Sequence, residues 1–355
     1  MNKNNFYCLI MAGGKGTRFW PESTEAKPKQ YLTIFNEKSL LEETCDRFSG
    51  LIDENRRFVV TVKSQKELCK EATKNKINSI IFEPTGRNTG PCILLSLAKL
   101  QTSGVDLDSV VAIVPSDHVI LNKNGFQNTL SKAAELAISL QEIVTIGITP
   151  NFPHTGFGYI EKGKIQNGES FSVSKFKEKP HFELAKEYVS SGNYLWNAGM
   201  FVAPLKVLIE EFKIHAPKMF SHFENLKTVI NDEAKLFEEY QKIPSDSFDY
   251  AILEKSNKVS VVPATFDWND LGSWDALTSV VPETHANTVV KSLGQEFMNS
   301  TGNIIYAPDK FVSLIDVKDH VVVVNDKVVL VTPISSSQEI KKVVEKLKIS
   351  RPDLL

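Results

Sequence analysis

Phe6 to Ala12 is a run of seven uncharged, mostly apolar residues that leads directly into a turn carrying Gly13, Gly14 and Gly16. A strand-length apolar run ending in glycines confines the chain to folds in which a buried strand delivers backbone amides to its carboxyl end. Glycines lack the Cβ that would keep an anion away from those amides. Arg18 and Lys29 follow and bring two cations to the same region, so segment 12–30 has the parts needed to hold a triphosphate and neutralise it. Two better-known phosphate loops fail on spacing. A Walker loop requires Ser or Thr after its GK pair, whereas Lys15 is followed by Gly16, and a GxGxxG fingerprint begun at Gly14 meets Phe19 where its last glycine belongs.

The anion site has to be local. With 41 basic and 43 acidic residues the net charge is −2, which gives no general attraction to nucleic acid or to an anionic membrane. The amino terminus carries only a short apolar run before glycines and charge, so no targeting segment is expected, and no run reaches membrane-spanning length. Cys8, Cys45, Cys69 and Cys92 lack CxxC pairing and sit mostly in apolar or helical patterns, which points to buried thiols in a reducing compartment, the cytoplasm.

Up to residue 150, short β-branched runs alternate with amphipathic stretches. FVVTV at 58–62, SIIF at 79–82, VVAIV at 110–114 and VTIGI at 144–148 read as strands. Residues 64–75, 90–102 and 125–140 read as helices, with Asn88 and Thr89 capping the second and Pro91 in its first turn. This is the pattern of an α/β, doubly wound, Rossmann-like sheet of mixed or parallel strands. Residues 151–280 are less regular, with helical spacing at 181–191 and 204–240. Past Pro282, where the join is expected, valine-rich runs such as HVVVVNDKVVLV, with a tight turn at Asn325 and Asp326, predict a small β-rich unit at 283–355. It ends in a helix over roughly 337–349. The first unit is 1–282.

In open parallel sheets, ligands sit where strands end. Asp117, after VVAIV, is placed to hold a metal ion or to act as a turn residue. A second carboxylate suits Mg²⁺ better than one alone, and Asp270 or Asp267 in FDWNDLGSW supplies it. No HxH, HExxH or GxSxG spacing occurs, which removes zinc hydrolysis and serine acyl transfer.

The loop GGxGTR (Gly13 to Arg18), followed by Pro28-Lys29-Gln30, resembles the signature of the sugar-1-phosphate nucleotidyltransferases. Further motifs are similar to those of its mannose-1-phosphate guanylyltransferase branch: EPTGRNT at 83–89, PSDH at 115–118, GFGYI at 156–160, FKEKP at 176–180, WNAGMF at 196–201 and WNDLGSW at 268–274. The resemblance covers about residues 6–280 and implies a nucleotidyltransferase fold. It implies that Arg18 and Lys29 are catalytic and that Asp117 and Asp270 hold Mg²⁺. Nucleotide contacts then fall on Ala12, Gly13, Gly14, Gly16 and Thr17, on Glu83, Arg87, Asn88 and Thr89, and on Ser116. Either Glu83 or a nearby carbonyl would read the guanine donors. Sugar-phosphate contacts fall on Gly158, Tyr159, Glu178, Lys179 and Asn197. FDYAILEK, with Asp249, Tyr250 and Glu254, also matches a family segment and is expected to be structural.

The implied partners are GTP and mannose 1-phosphate, in a homodimer without nucleic acid or membrane. Another hexose or heptose 1-phosphate, or a non-catalytic GDP-sugar-binding subunit, are the alternatives. No isomerase domain of the longer bifunctional members is expected, and the carboxyl-terminal segment shows no clear hexapeptide repeat.

Overall fold

Strand β1 (Phe6–Met11) pairs in parallel with β2 (Arg57–Val62) and β4 (Val110–Pro115), and β2 pairs with β3 (Ser79–Glu83). This is a computed structural model, and it describes residues 5–14, 16–34 and 36–355. Residues 1–4 and Lys15, both weighed in the sequence, lie outside the described residues. Helices α1 (Leu40–Arg47), α2 (Lys66–Ala72), α3 (Thr89–Thr102) and α4 (Lys123–Leu140) form the crossovers. They cover both faces of the sheet, which is why β2 and β4 read as unbroken apolar runs.

The remaining sheet is mixed. After β5 (Ile143–Ile148) come the hairpin β6 (Tyr159–Ile165) and β7 (Phe171–Lys177), helix α5 (Phe182–Ser191) and the long strand β8 (Tyr194–Pro204). Strand β8 inserts antiparallel between β4 and β5, and β9 (Val259–Pro263) runs parallel to β5, giving the order β3-β2-β1-β4-β8-β5-β9-β7-β6.

The helical spacing read over 204–240 resolves into four pieces, α6 (Leu205–His215), α7 (Pro217–Phe220), α8 (Phe223–Val229) and α9 (Glu233–Lys242). Pro217 accounts for the first break. It cannot donate an N–H, and it pushes the preceding residue out of the helical region, where Ala216 has φ −128° and ψ 54°. Asp232 restarts the chain as α9 by accepting from the Lys235 amide.

A second sheet, β10 (Thr288–Met298), β11 (Ile304–Ile315), β12 (His320–Val324) and β13 (Val329–Pro333), is parallel through its first three strands and closes with an antiparallel hairpin. Asn325 makes that turn as expected, its side chain accepting from the Lys327 and Val328 amides. Helix α10 (Ile340–Ser350) follows. One face of this sheet does not form a separate core. Ile304, Tyr306, Val321, Val323 and Leu330 share a cluster with Phe19, Trp20, Leu32, Leu271 and Trp274. Polar ties follow the same seam: Trp20 Nε1 donates to the Leu354 carbonyl at 3.0 Å, Lys291 Nζ to the Thr33 carbonyl at 2.9 Å, and Gln338 Nε2 to Ser273 Oγ at 2.6 Å.

All four cysteines are free and buried, and burial raises the Cys45 and Cys69 thiols to about 12. No helix among the described residues is long and apolar enough to cross a membrane.

Trp274 is the keystone of the seam. Its ring is fully buried against Phe19 and Tyr306, and its Nε1 donates to the Trp20 carbonyl at 3.1 Å. Trp274→Ala should cost about 3–5 kcal/mol in urea unfolding. A loss below about 1 kcal/mol would show that the seam is not a shared core.

Candidate active site

The carboxyl ends of β1 to β4 open on one side of the sheet, and each delivers one part of the site. From β1 comes the glycine turn. Gly14 has φ 103° and Gly16 φ 59°, and a Cβ on Gly16 would lie 2.2 Å from Lys29 Cβ, so the turn and the lysine fit only because residue 16 has no side chain. Gln30, buried, holds the turn from beneath: its Nε2 donates to the carbonyls of Ala12 at 3.0 Å and Gly14 at 3.4 Å. Thr61 adds a bond to the Ala12 carbonyl at 2.9 Å. The amides of Gly13 and Gly14 have no acceptor among the described residues, and both glycines are exposed. That is the arrangement an anion would satisfy. Thr17 and Arg18 begin the next turn; Arg18 is exposed and has no partner among the described residues.

A cleft of about 790 Å³ lies beside the turn. Its walls include Gly13, Gly14, Pro28, Gln65 and the segment from Glu83 to Thr89, and its size suits a nucleotide. Glu83 is buried at its base, and burial pushes its carboxyl upward although Tyr240 and Cys92 donate to it. Arg87, in this wall, donates to the Ile243 carbonyl at 2.9 and 3.2 Å, which ties the wall to the segment after α9. Asn88 caps α3 through the Thr89 amide, and Thr89 Oγ1 accepts from the Phe248 amide at 2.9 Å.

Where β1 and β4 end, Lys29 Nζ donates to Asp117 Oδ2 at 2.9 Å and to the Asp270 carbonyl at 2.6 Å. The Asp117 and Asp270 loops are joined by a bridge between Val119 and Asn269. Burial opposes the charge on Asp117, but Lys29 and the other groups around it together outweigh burial, and the carboxyl is held below its ordinary value. Asp267, the competing carboxylate, is committed elsewhere, taking the Leu121 and Asn122 amides at 2.7 Å each. Among the described residues no three His, Cys, Asp or Glu side chains converge on one point. Two carboxylates without nitrogen or sulfur ligands fit a hard divalent cation that completes its shell with water and phosphate oxygens. His118 packs edge-on against Trp268, its Nδ1 accepting from the indole at 3.1 Å, and burial lowers it to about 4, so its ring is neutral.

The residues expected to hold the sugar phosphate meet at the ends of β6, β7 and the middle of β8. Gly158 is pressed against Glu178 and Asn197: a Cβ there would lie 2.5 Å from Glu178 Oε2. Asn197 occupies an irregularity in the β5–β8 ladder and donates its amide to the Gly158 carbonyl at 2.8 Å. Lys179 pairs with Glu178 Oε1. Tyr159 is fully buried, its hydroxyl taking the His154 amide at 3.0 Å, so its ring belongs to the core. Ser116 is also buried, its backbone bonded to Met11 and, through its carbonyl, to Thr44.

Helix α1 is a positioning element that the sequence reading passed over. Thr44 Oγ1 donates to the Ser116 carbonyl at 3.0 Å, and the buried Arg47 donates to the His118 carbonyl, so this helix fixes both sides of Asp117. The signal was available, since Ser39 and Glu42 stand at the spacing of a capping box and Ser39 does cap the Glu42 amide. Gln30, noted only as the last residue of the Pro28-Lys29-Gln30 motif, and Gln65, which was passed over, hydrogen-bond each other at 3.0 Å beneath the glycine turn.

Comparison with known proteins matches these features to one family. The family model described as nucleotidyl transferase matches residues 7–287, and one described as a MannoseP isomerase/GMP-like beta-helix domain matches 297–347, where the parallel strands lie without a legible hexapeptide period. Mannose-1-phosphate guanylyltransferase of Salmonella muenchen is 36% identical over 96% of this chain and 73% of its own length, and that of Klebsiella pneumoniae 35% over 96% and 73%. The crystal structure of a Thermus thermophilus protein described as mannose-1-phosphate geranyltransferase aligns with TM-score 0.89 at 31% identity, covering 97% of this chain and 99% of that one. The chain belongs to the nucleotidyl transferase family.

Proposed function

We propose that the chain transfers GMP from GTP to α-mannose 1-phosphate, giving GDP-mannose and pyrophosphate. The observation that carries this reading is the meeting of Lys29, Asp117 and the Asp270 loop beside the open amides of Gly13 and Gly14. The relatives named above carry the same activity in their names. A phosphate oxygen of the sugar attacks the α-phosphorus in line, and the bond to the bridging oxygen of pyrophosphate breaks without a covalent enzyme intermediate.

Both reactants are anions, so the protein contributes position and neutralisation. The Gly13 and Gly14 amides and Arg18 hold the β and γ phosphates. Lys29, fixed by Asp117, reaches the reacting phosphates, and Lys179 takes the phosphate of the sugar. Glu83, or a carbonyl near it, accepts from guanine N1 and its exocyclic amine. Asp117 and Asp270 are the residues that would hold Mg²⁺, which when bound offsets charge on the phosphate oxygens.

The catalytic unit is 1–282 and the small β-rich unit 283–355. Four buried free thiols favour the cytoplasm as the compartment. A homodimer is part of the reading because Met298 and Ile315 lie side by side, 59% and 60% exposed, on β10 and β11 of the second sheet. Sedimentation equilibrium should give twice the chain mass, and Met298→Lys with Ile315→Lys should halve it; a wild-type monomer removes the dimer from this account.

Pyrophosphate release should require GTP, mannose 1-phosphate and a divalent ion, and should fail with EDTA or with ATP, UTP or dTTP in place of GTP. Absence of release with GTP would refute the reading. Arg18→Ala should lower turnover strongly while leaving stability within about 0.5 kcal/mol, because Arg18 is exposed and unpaired among the described residues. Lys29→Ala should lower turnover by the equivalent of about 2.7–4 kcal/mol. It should also lower the melting temperature, because it leaves the half-buried Asp117 without its cation. Near-normal turnover in either variant contradicts its role.

A further inference from the structure

The segment from Phe248 to Lys255 does more than fill space. It forms a π-turn, Asp249–Leu253, a geometry that is rare and frequent at functional sites. Both ends of the turn dock on sugar-side segments. Glu254 Oε1 accepts the Glu178 amide at 3.1 Å, and Asp249 Oδ1 accepts Asn197 Nδ2 at 2.8 Å.

This contact changes what Asn197 has to offer. Its Oδ1 already accepts from Thr145 Oγ1 and from the Gly199 amide, both at 3.1 Å, so it is not a free acceptor for a sugar hydroxyl. The remaining acceptors are Glu178 Oε2 and Asp249 Oδ2. Neither takes a side-chain hydrogen bond among the described residues, since Lys179 engages Glu178 through Oε1 and Asn197 engages Asp249 through Oδ1; the Asp249 carboxyl otherwise meets only its own backbone amide. The two carboxyls also feel each other. Burial first, then the Glu178 charge, raises Asp249 to about 6. Two neighbouring acidic groups, each with one oxygen that no side chain engages, can take further donors. A structural role for Asp249 is served by the bond from Asn197 and by its own amide, and neither calls for a second acidic group beside Glu178.

Building on the reading above, we propose that Asp249 contacts substrate: with Glu178 it forms a paired acceptor for two neighbouring hydroxyls of the hexose 1-phosphate, and so helps select the sugar. A polyol supplies two O–H donors at once, and a site built to bond hydroxyls rejects a sugar that presents them differently.

The test uses the full chain and Asp249→Asn, which retains an oxygen to take the Asn197 amide and so preserves a purely structural function. Calorimetric titration with GDP-mannose and with GDP separates sugar from nucleotide binding without requiring turnover. The account expects the variant to lose at least tenfold in affinity for GDP-mannose and less than twofold for GDP. In steady-state assays, KM for the sugar phosphate should rise at least tenfold with KM for GTP within twofold, and the preference for mannose over glucose 1-phosphate should narrow. An unchanged ratio of GDP-mannose to GDP affinity, or equal losses for both, overturns the proposal even if the wild-type enzyme transfers GMP to mannose 1-phosphate as expected. Failure of that wild-type reaction alone counts against the proposed function and leaves the calorimetric comparison to judge Asp249.

Discussion

Lys29 holds the site together. One buried ammonium bonds Asp117, 88 residues away in sequence, and the Asp270 carbonyl, 241 residues away. Three loops that a linear chain has no reason to keep adjacent are thereby fixed around one charge. Removing a lysine from water is costly, and a single carboxylate rarely makes such a pair a net source of stability. Two of its three N–H donors are engaged by these oxygens, its ammonium lies over the Phe19 ring at 5.7 Å, and on the proposed function the third donor is the one that would meet a phosphate oxygen. Gly16 permits it, because any side chain there would displace Lys29.

Support for this charge cluster comes from two directions. Beneath it, α1 grips the backbone on either side of Asp117 through Thr44 and Arg47, and Gln30 grips the glycine turn. Behind it, the second sheet and α10 pack on the turn bearing Arg18 and on the loop after Asp270. The sugar side is linked to the same cluster by aromatic contacts, Phe157 meeting Trp268 at 5.2 Å and Trp268 meeting His118 at 5.4 Å between ring centroids. Positioning two anions for in-line attack demands little movement among these parts, and shared packing limits it.

Much of this was legible in the sequence. The strands at 58–62, 79–82, 110–114 and 144–148 appear within a residue or so of their expected bounds, because the three inner ones are buried on both faces and leave unbroken apolar runs. The Asn88 cap and the Asn325 turn follow from local side-chain chemistry and form as expected. What the sequence hid depends on distant partners. The insertion of β8 antiparallel between β4 and β5 is a topological fact without a local signature. The engagement of Asn197 by Thr145, Gly199 and Asp249 depends on a ladder irregularity that no spacing rule reveals. The capping box at Ser39 was visible, but a helix of eight residues carries a weak periodic signal, and its grip on Asp117 exists only in three dimensions.

A crystal structure of the full chain with GTP and Mg²⁺ tests the central claim most directly. The account predicts an ion between the carboxylates of Asp117 and Asp270, Lys29 Nζ within hydrogen-bond distance of a phosphate oxygen, and the triphosphate on the Gly13 and Gly14 amides. An ion bound away from both aspartates, or Lys29 still occupied only by Asp117 and the Asp270 carbonyl with the phosphates elsewhere, would contradict it.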